Sequence, residues 1–86
     1  NTTDNKAKLT KFVDKCIIEF TGNLDGNKVI EQWSFRGNTL ITGGTATFAK
    51  DGTSQASNFD LNNAQVQQNF IKLRKNFAKD AVAQCN

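Results

Sequence analysis

Apolar residues early in the chain recur at Leu9, Phe12, Val13, Cys16, Ile17 and Phe20. Intervals of three and four draw one stripe along an α-helix. Lys8, Lys11 and Lys15 repeat with the same period on another face. Thr3 or Asp4 offers an oxygen to cap the first turn, and Gly22 offers the left-handed stop. The spacing therefore predicts an N-terminal helix. A competing signal lies inside the same stretch. Cys16 to Thr21 contains Ile17, Ile18 and Phe20, which favour a strand. The stripe is the longer pattern, and it decides for the helix.

From Lys28 to Arg36 the period changes to two. Val29, Glu31, Trp33 and Phe35 alternate with Ile30, Gln32, Ser34 and Arg36, as on a half-buried strand with its aromatic side inward. Asn23 to Asn27, with its Asp25-Gly26 pair, reads as the turn before this strand, and Gly37-Asn38 as the turn after it. Thr39 to Ala49 continues as a second strand. Its Gly43-Gly44 pair predicts a bulge or a sharp bend, because glycine has no side chain to pack there. Asp51-Gly52 marks a hairpin, and Thr53 to Leu61 returns as a third, more polar strand.

The clearest periodicity comes last. Val66, Phe70, Leu73, Phe77, Ala81 and Cys85 recur every three or four residues, with Asp60, Asn62 or Asn63 available as a cap. No Gly or Pro interrupts the chain from Asn63 onward, which predicts one unbroken helix. The expected fold is α+β: a three-stranded antiparallel β-meander flanked by an N-terminal and a C-terminal α-helix. It forms a single domain over residues 1–86, with residues 1–5 frayed. Its core takes Leu9, Phe12, Val13 and Phe20 from the first helix. The strands add Val29, Trp33, Phe35, Leu40, Phe48 and Phe59. The last helix adds Val66, Phe70, Leu73, Phe77 and Val82.

Composition then narrows the compartment. The chain has 86 residues, 37% hydrophobic and 22% charged, an ordinary balance for a globular domain. A chain this small buries only about 60–65% of its unfolded surface, so a cross-link matters. Cys16 and Cys85 each fall on an apolar stripe and predict one disulfide. Closing a loop of about 70 residues contributes roughly 4 kcal/mol in the loop-entropy model. Two cysteines in a short chain that begins at Asn1 and contains no methionine read as a mature or excised chain from an oxidising compartment, periplasmic or secreted. No run approaches the roughly 18 apolar residues of a membrane span. No transmembrane segment is expected here, and the Asn- and Thr-rich start leaves room for an anchor upstream.

Candidate chemistry is limited by what is missing. Histidine is absent, which excludes Ser/His/Asp and Cys/His catalysis and any histidine metal site. No catalytic set, metal or cofactor is expected. Glu31 is the one carboxylate whose place beside Trp33 would raise its pKa by burial, as a general acid needs. It has no partner at a recognisable spacing, so a small hydrolase using Glu31 is the weakest reading. The net charge is +3, and the excess lies at the end of the chain, where Lys72, Arg74, Lys75 and Lys79 face one acid, Asp80. That stripe is a candidate polyanion surface. Nucleic acid is disfavoured as the polyanion, because the aromatics follow the apolar pattern and leave few for base stacking.

The second face of the sheet remains, with Gln32, Ser34, Arg36, Thr39 and Thr42. A flat, moderately polar face with an edge strand suits another protein better than it suits cleft chemistry. The expected function is a non-catalytic protein-interaction domain of an exported protein, such as an inhibitor, immunity, adaptor or assembly factor. Polyanion binding through the last helix is the alternative.

Overall fold

The computed structural model describes residues 3–85. It is an α+β fold with one antiparallel sheet, but the sheet has five strands, in the order β1-β2-β3-β4-β5. The strands are β1 (Thr3–Lys11), β2 (Cys16–Leu24), β3 (Asn27–Arg36), β4 (Thr39–Phe48) and β5 (Ser54–Asn58). Two short helices follow, α1 (Ala64–Arg74) and α2 (Lys79–Ala83). Of the residues expected to fray, Thr3 to Asn5 belong to β1, and Asn1 and Thr2 lie outside the described residues.

The expected N-terminal helix is instead the β1–β2 hairpin. The strand signal between Cys16 and Thr21 prevails because its partners are distant in sequence. Cys16 pairs with Phe35 and Ile18 with Trp33, and both β2 residues become fully buried. Local helical spacing cannot match that burial, since tertiary packing outweighs propensity. The helix-like interval across Phe12 and Val13 belongs to the hairpin loop, closed by the Phe12 amide donating to the Lys15 carbonyl at 2.8 Å. Phe12 and Val13 are exposed rather than core. Thr3 and Asp4 lie on a strand and cap no helix. Gly22 stops none either; it is buried within β2, paired with Val29.

The turns fall where the sequence places them. Asp25 and Gly26 both have positive φ, 52° and 84°, the signature of the two-residue hairpin whose twist matches its strands. At the β4–β5 hairpin the Asp51 carboxylate accepts from the Thr53 amide at 2.9 Å and from its hydroxyl at 2.6 Å.

β4 holds the decisive irregularity. Its register with β3 shifts between Ser34 and Phe35: Ser34 pairs with Thr42, and Phe35 with Leu40. Ile41 is thus an extra residue, and the bulge falls here rather than at Gly43-Gly44. One inserted residue exchanges the two faces for everything after it. Leu40 points into the core, yet Phe48, of the same parity, emerges on the other side and is 42% exposed. Its placement in the core is therefore corrected. The glycines serve close approach instead. A Cβ on Gly43 would lie 2.8 Å from the Phe59 ring, and one on Gly44 would lie 2.8 Å from the Ser57 carbonyl oxygen.

One face of the sheet carries the core. Cys16, Ile18, Trp33, Phe35 and Leu40 are buried there with Phe70, Val82 and Cys85 from the C-terminal segment. Phe59 lies 4.4 Å from Trp33 between ring centroids, and Phe70 meets Phe35 edge-on at 5.3 Å, geometries favoured by the aromatic quadrupole. Of the three cap candidates Asp60, Asn62 and Asn63, the helix uses Asn63, whose Oδ1 accepts from the amides of Gln65 and Val66. It is not one helix. The chain breaks after Arg74 and restarts at Lys79, which returns Cys85 to the sheet. There the Cys16–Cys85 disulfide forms with Cα atoms 5.5 Å apart, and the Gly37 amide donates to the Cys85 carbonyl at 2.7 Å.

Candidate interaction face

The helices cover only one side of the sheet. The other side is built from the alternate residues of the same strands, and β3 places Ile30, Gln32, Ser34 and Arg36 there. Across β4 the register sets Ala46 beside Ile30 and Thr42 beside Ser34, with Phe48 beside Lys28. β5 adds Ala56 next to Ala46 and Asn58 next to Gly44. All of these except Lys28 and Arg36 line an open trough of about 510 Å³. Its floor mixes apolar Ile30, Ala46, Phe48 and Ala56 with hydrogen-bonding Gln32, Ser34, Thr42 and Asn58.

Of the residues expected to meet a partner, Gln32, Ser34 and Thr42 therefore converge. Arg36 and Thr39 pair with each other at the end of the β3–β4 hairpin, beyond the trough. Arg36 also works internally, with Nε donating to the Asp14 carbonyl at 2.7 Å. Gln32 donates to Glu19 at 3.2 Å across β2. Of the apolar members, Ala46, Phe48 and Ala56 are not marked by the sequence pattern. Ile30 was readable from the alternation that placed Gln32 and Ser34. Phe48 was not, because its face depends on the Ile41 bulge.

The sheet ends in two unlike edges. On β5, the Ala49 amide donates to the Thr53 carbonyl and the Phe59 amide to the Gly43 carbonyl, each at 2.9 Å. By antiparallel alternation, Ser54, Ala56 and Asn58 turn their main-chain groups outward. All five residues of β5 are exposed and none is charged. β1 carries Lys6, Lys8 and Lys11, the charge pattern that discourages strand pairing at an edge. The β5 edge adjoins the trough; the β1 edge does not.

The basic residues do not form one stripe. Lys72 stays on the outside of α1, while the chain break carries Lys79 onto α2. Arg74 is turned toward the core, with its guanidinium carbon 5.5 Å from the Phe35 ring centroid and 5.6 Å from that of Phe70. Its Nη1 donates to Asn38 Oδ1 at 2.9 Å. Glu31 lies on the covered side, half-buried, and accepts from the Trp33 indole at 3.3 Å. That bond satisfies the buried indole N–H. Among the described residues no group of three or more His, Cys, Asp and Glu side chains is placed to hold a metal ion.

Asp51, at the tip of the β4–β5 hairpin, has its pKa lowered below the ordinary aspartate value. The Thr53 hydroxyl is the main cause, followed by the Thr53 amide, since both bonds favour the charged form. No family model, no curated protein and no solved structure matches this chain.

Proposed function

We propose that this chain is a non-catalytic protein-interaction domain of an exported, periplasmic or secreted, protein. It takes its partner on the open face of the sheet, along the trough and the β5 edge. The observation that carries this reading is the one-sided covering of the sheet. It leaves Phe48 and its apolar neighbours in a trough shared with hydrogen-bonding side chains and flanked by the outward main-chain groups of β5. Apolar contacts beside hydrogen-bonding groups are the usual composition of a recognition surface, and a free edge adds affinity by strand addition. The Cys16–Cys85 bridge supports an oxidising compartment. Among the described residues no helix is long and apolar enough to cross a membrane.

The test is capture of the partner from extracytoplasmic extract, followed by hydrogen-exchange mapping of the complex. Protection is expected on β4 and β5, with binding lost in Phe48→Asp and kept when Lys72, Lys75 and Lys79 are all changed to Gln. A partner lost only in the lysine variant would move the function to the basic residues. Turnover of a substrate that stops in Glu31→Gln would move it to catalysis.

A further inference from the structure

The gap between the two helices has a different chemistry from the open sheet face. Arg74 enters it already organised, held against the rings of Phe35 and Phe70 and anchored to Asn38. Lys75 follows directly and Lys79 opens α2, both exposed. The three cations border a cleft of about 390 Å³ whose remaining lining is Ile71, Val82, Ala83 and Asn38. Among the described residues no carboxylate lines it. Ile71 is 48% exposed, an aliphatic side chain that the packing of α1 leaves uncovered. The volume falls within the range of small-molecule sites.

We infer that this cleft binds a small amphipathic anion: a free alkyl carboxylate, with its head among Arg74, Lys75 and Lys79 and its body against Ile71, Val82 and Ala83. Charge complementarity selects the anion, since three cations line the cleft and, among the described residues, no carboxylate does. The apolar wall selects a body that a simple inorganic anion lacks. Pre-organisation favours binding, because a guanidinium already held over the two rings and bonded to Asn38 loses little freedom when it meets a carboxylate. A polyanion fits less well. Its repeated phosphates need a row of accessible cations, whereas here Arg74 is recessed and Lys72 lies outside the cleft. The site is separate from the sheet face, so it stands or falls independently of the partner proposed there.

The experiment is an NMR titration of the full, oxidised chain with octanoate, beside octanol, acetate and heparin. Octanoate is expected to shift the amides of Ile71, Lys75, Lys79 and Val82 saturably, leaving β4 and β5 unmoved. Octanol and acetate should each bind at least about tenfold more weakly, as expected for losing one charge-assisted contact set or the apolar contact. Lys75→Gln with Lys79→Gln should weaken octanoate about tenfold or more, while Phe48→Asp leaves it unchanged. Acetate equal to octanoate would remove the apolar subsite, and octanol equal to octanoate would remove the anion site. Preferential heparin binding, or shifts that map elsewhere, would also overturn the inference.

Discussion

On β3, Trp33 and Phe35 point to one side of the sheet, and Gln32 and Ser34 point to the other. The two faces share every backbone hydrogen bond, yet only one of them is closed. Against Trp33 and Phe35 lie Phe59 and Phe70, with Val82 and the Cys16–Cys85 bridge beside them. Against Gln32 and Ser34 lies an open trough edged by β5. The contrast places the stabilising burial on the covered face and, on the function proposed above, leaves the open face to a partner. Burial of aromatic area is concentrated on one face, while the other carries apolar residues such as Phe48 that stay open to water.

Truncating one phenylalanine on each face should separate the two faces by the largest margin. Phe35→Ala removes a fully buried ring and is expected to cost about 3–5 kcal/mol. Phe48→Ala, on the trough, is expected to cost less than about 1 kcal/mol, because its side chain already meets water. Urea unfolding of both variants measures this directly. Equal losses would mean that the open face is part of the core.

The bridge comes next. Changing Cys16 and Cys85 together to Ser releases a chain cross-linked across 69 positions. The expected loss is about 2–4 kcal/mol, largely through the freer unfolded state. It should fall on the covered face: α2 should lose amide protection before the β4–β5 hairpin does. Early loss of protection in β5 would reverse the assignment.

The smallest effect belongs to the tip of the β4–β5 hairpin. The Asp51 carboxyl titrates below its ordinary value because Thr53 bonds the charged form. Its contribution is therefore fully present above the unfolded-state pKa and is lost as pH falls through the lower folded-state pKa. The Thr53 amide shift should titrate with Asp51, and Asp51→Asn should abolish that response. Since Asp51 is fully exposed, the effect should stay local to the hairpin and leave the Trp33 environment unchanged.

Much of this architecture is legible in local residue patterns. The alternation from Val29 to Arg36 assigns Trp33 and Phe35 inward and Gln32 and Ser34 outward. Asp25-Gly26, Gly37-Asn38 and Asp51-Gly52 mark turns because their backbone preferences are local. Asn63 caps α1 for the same reason, and two cysteines leave a single intramolecular pairing. These features depend on a residue and its near neighbours, so the sequence by itself determines them. The first twenty-odd residues are different. Leu9, Phe12, Val13, Cys16 and Phe20 satisfy a helical period, but Cys16 and Ile18 gain more by pairing with Phe35 and Trp33, which lie fifteen or more positions away. The face of Phe48 turns on one extra residue at Ile41, and the two-helix ending on where Cys85 must return to meet Cys16. The cleft around Arg74 exists only because of that return. Tertiary structure alone decided these points, because each rests on contacts between segments that no local pattern brings together.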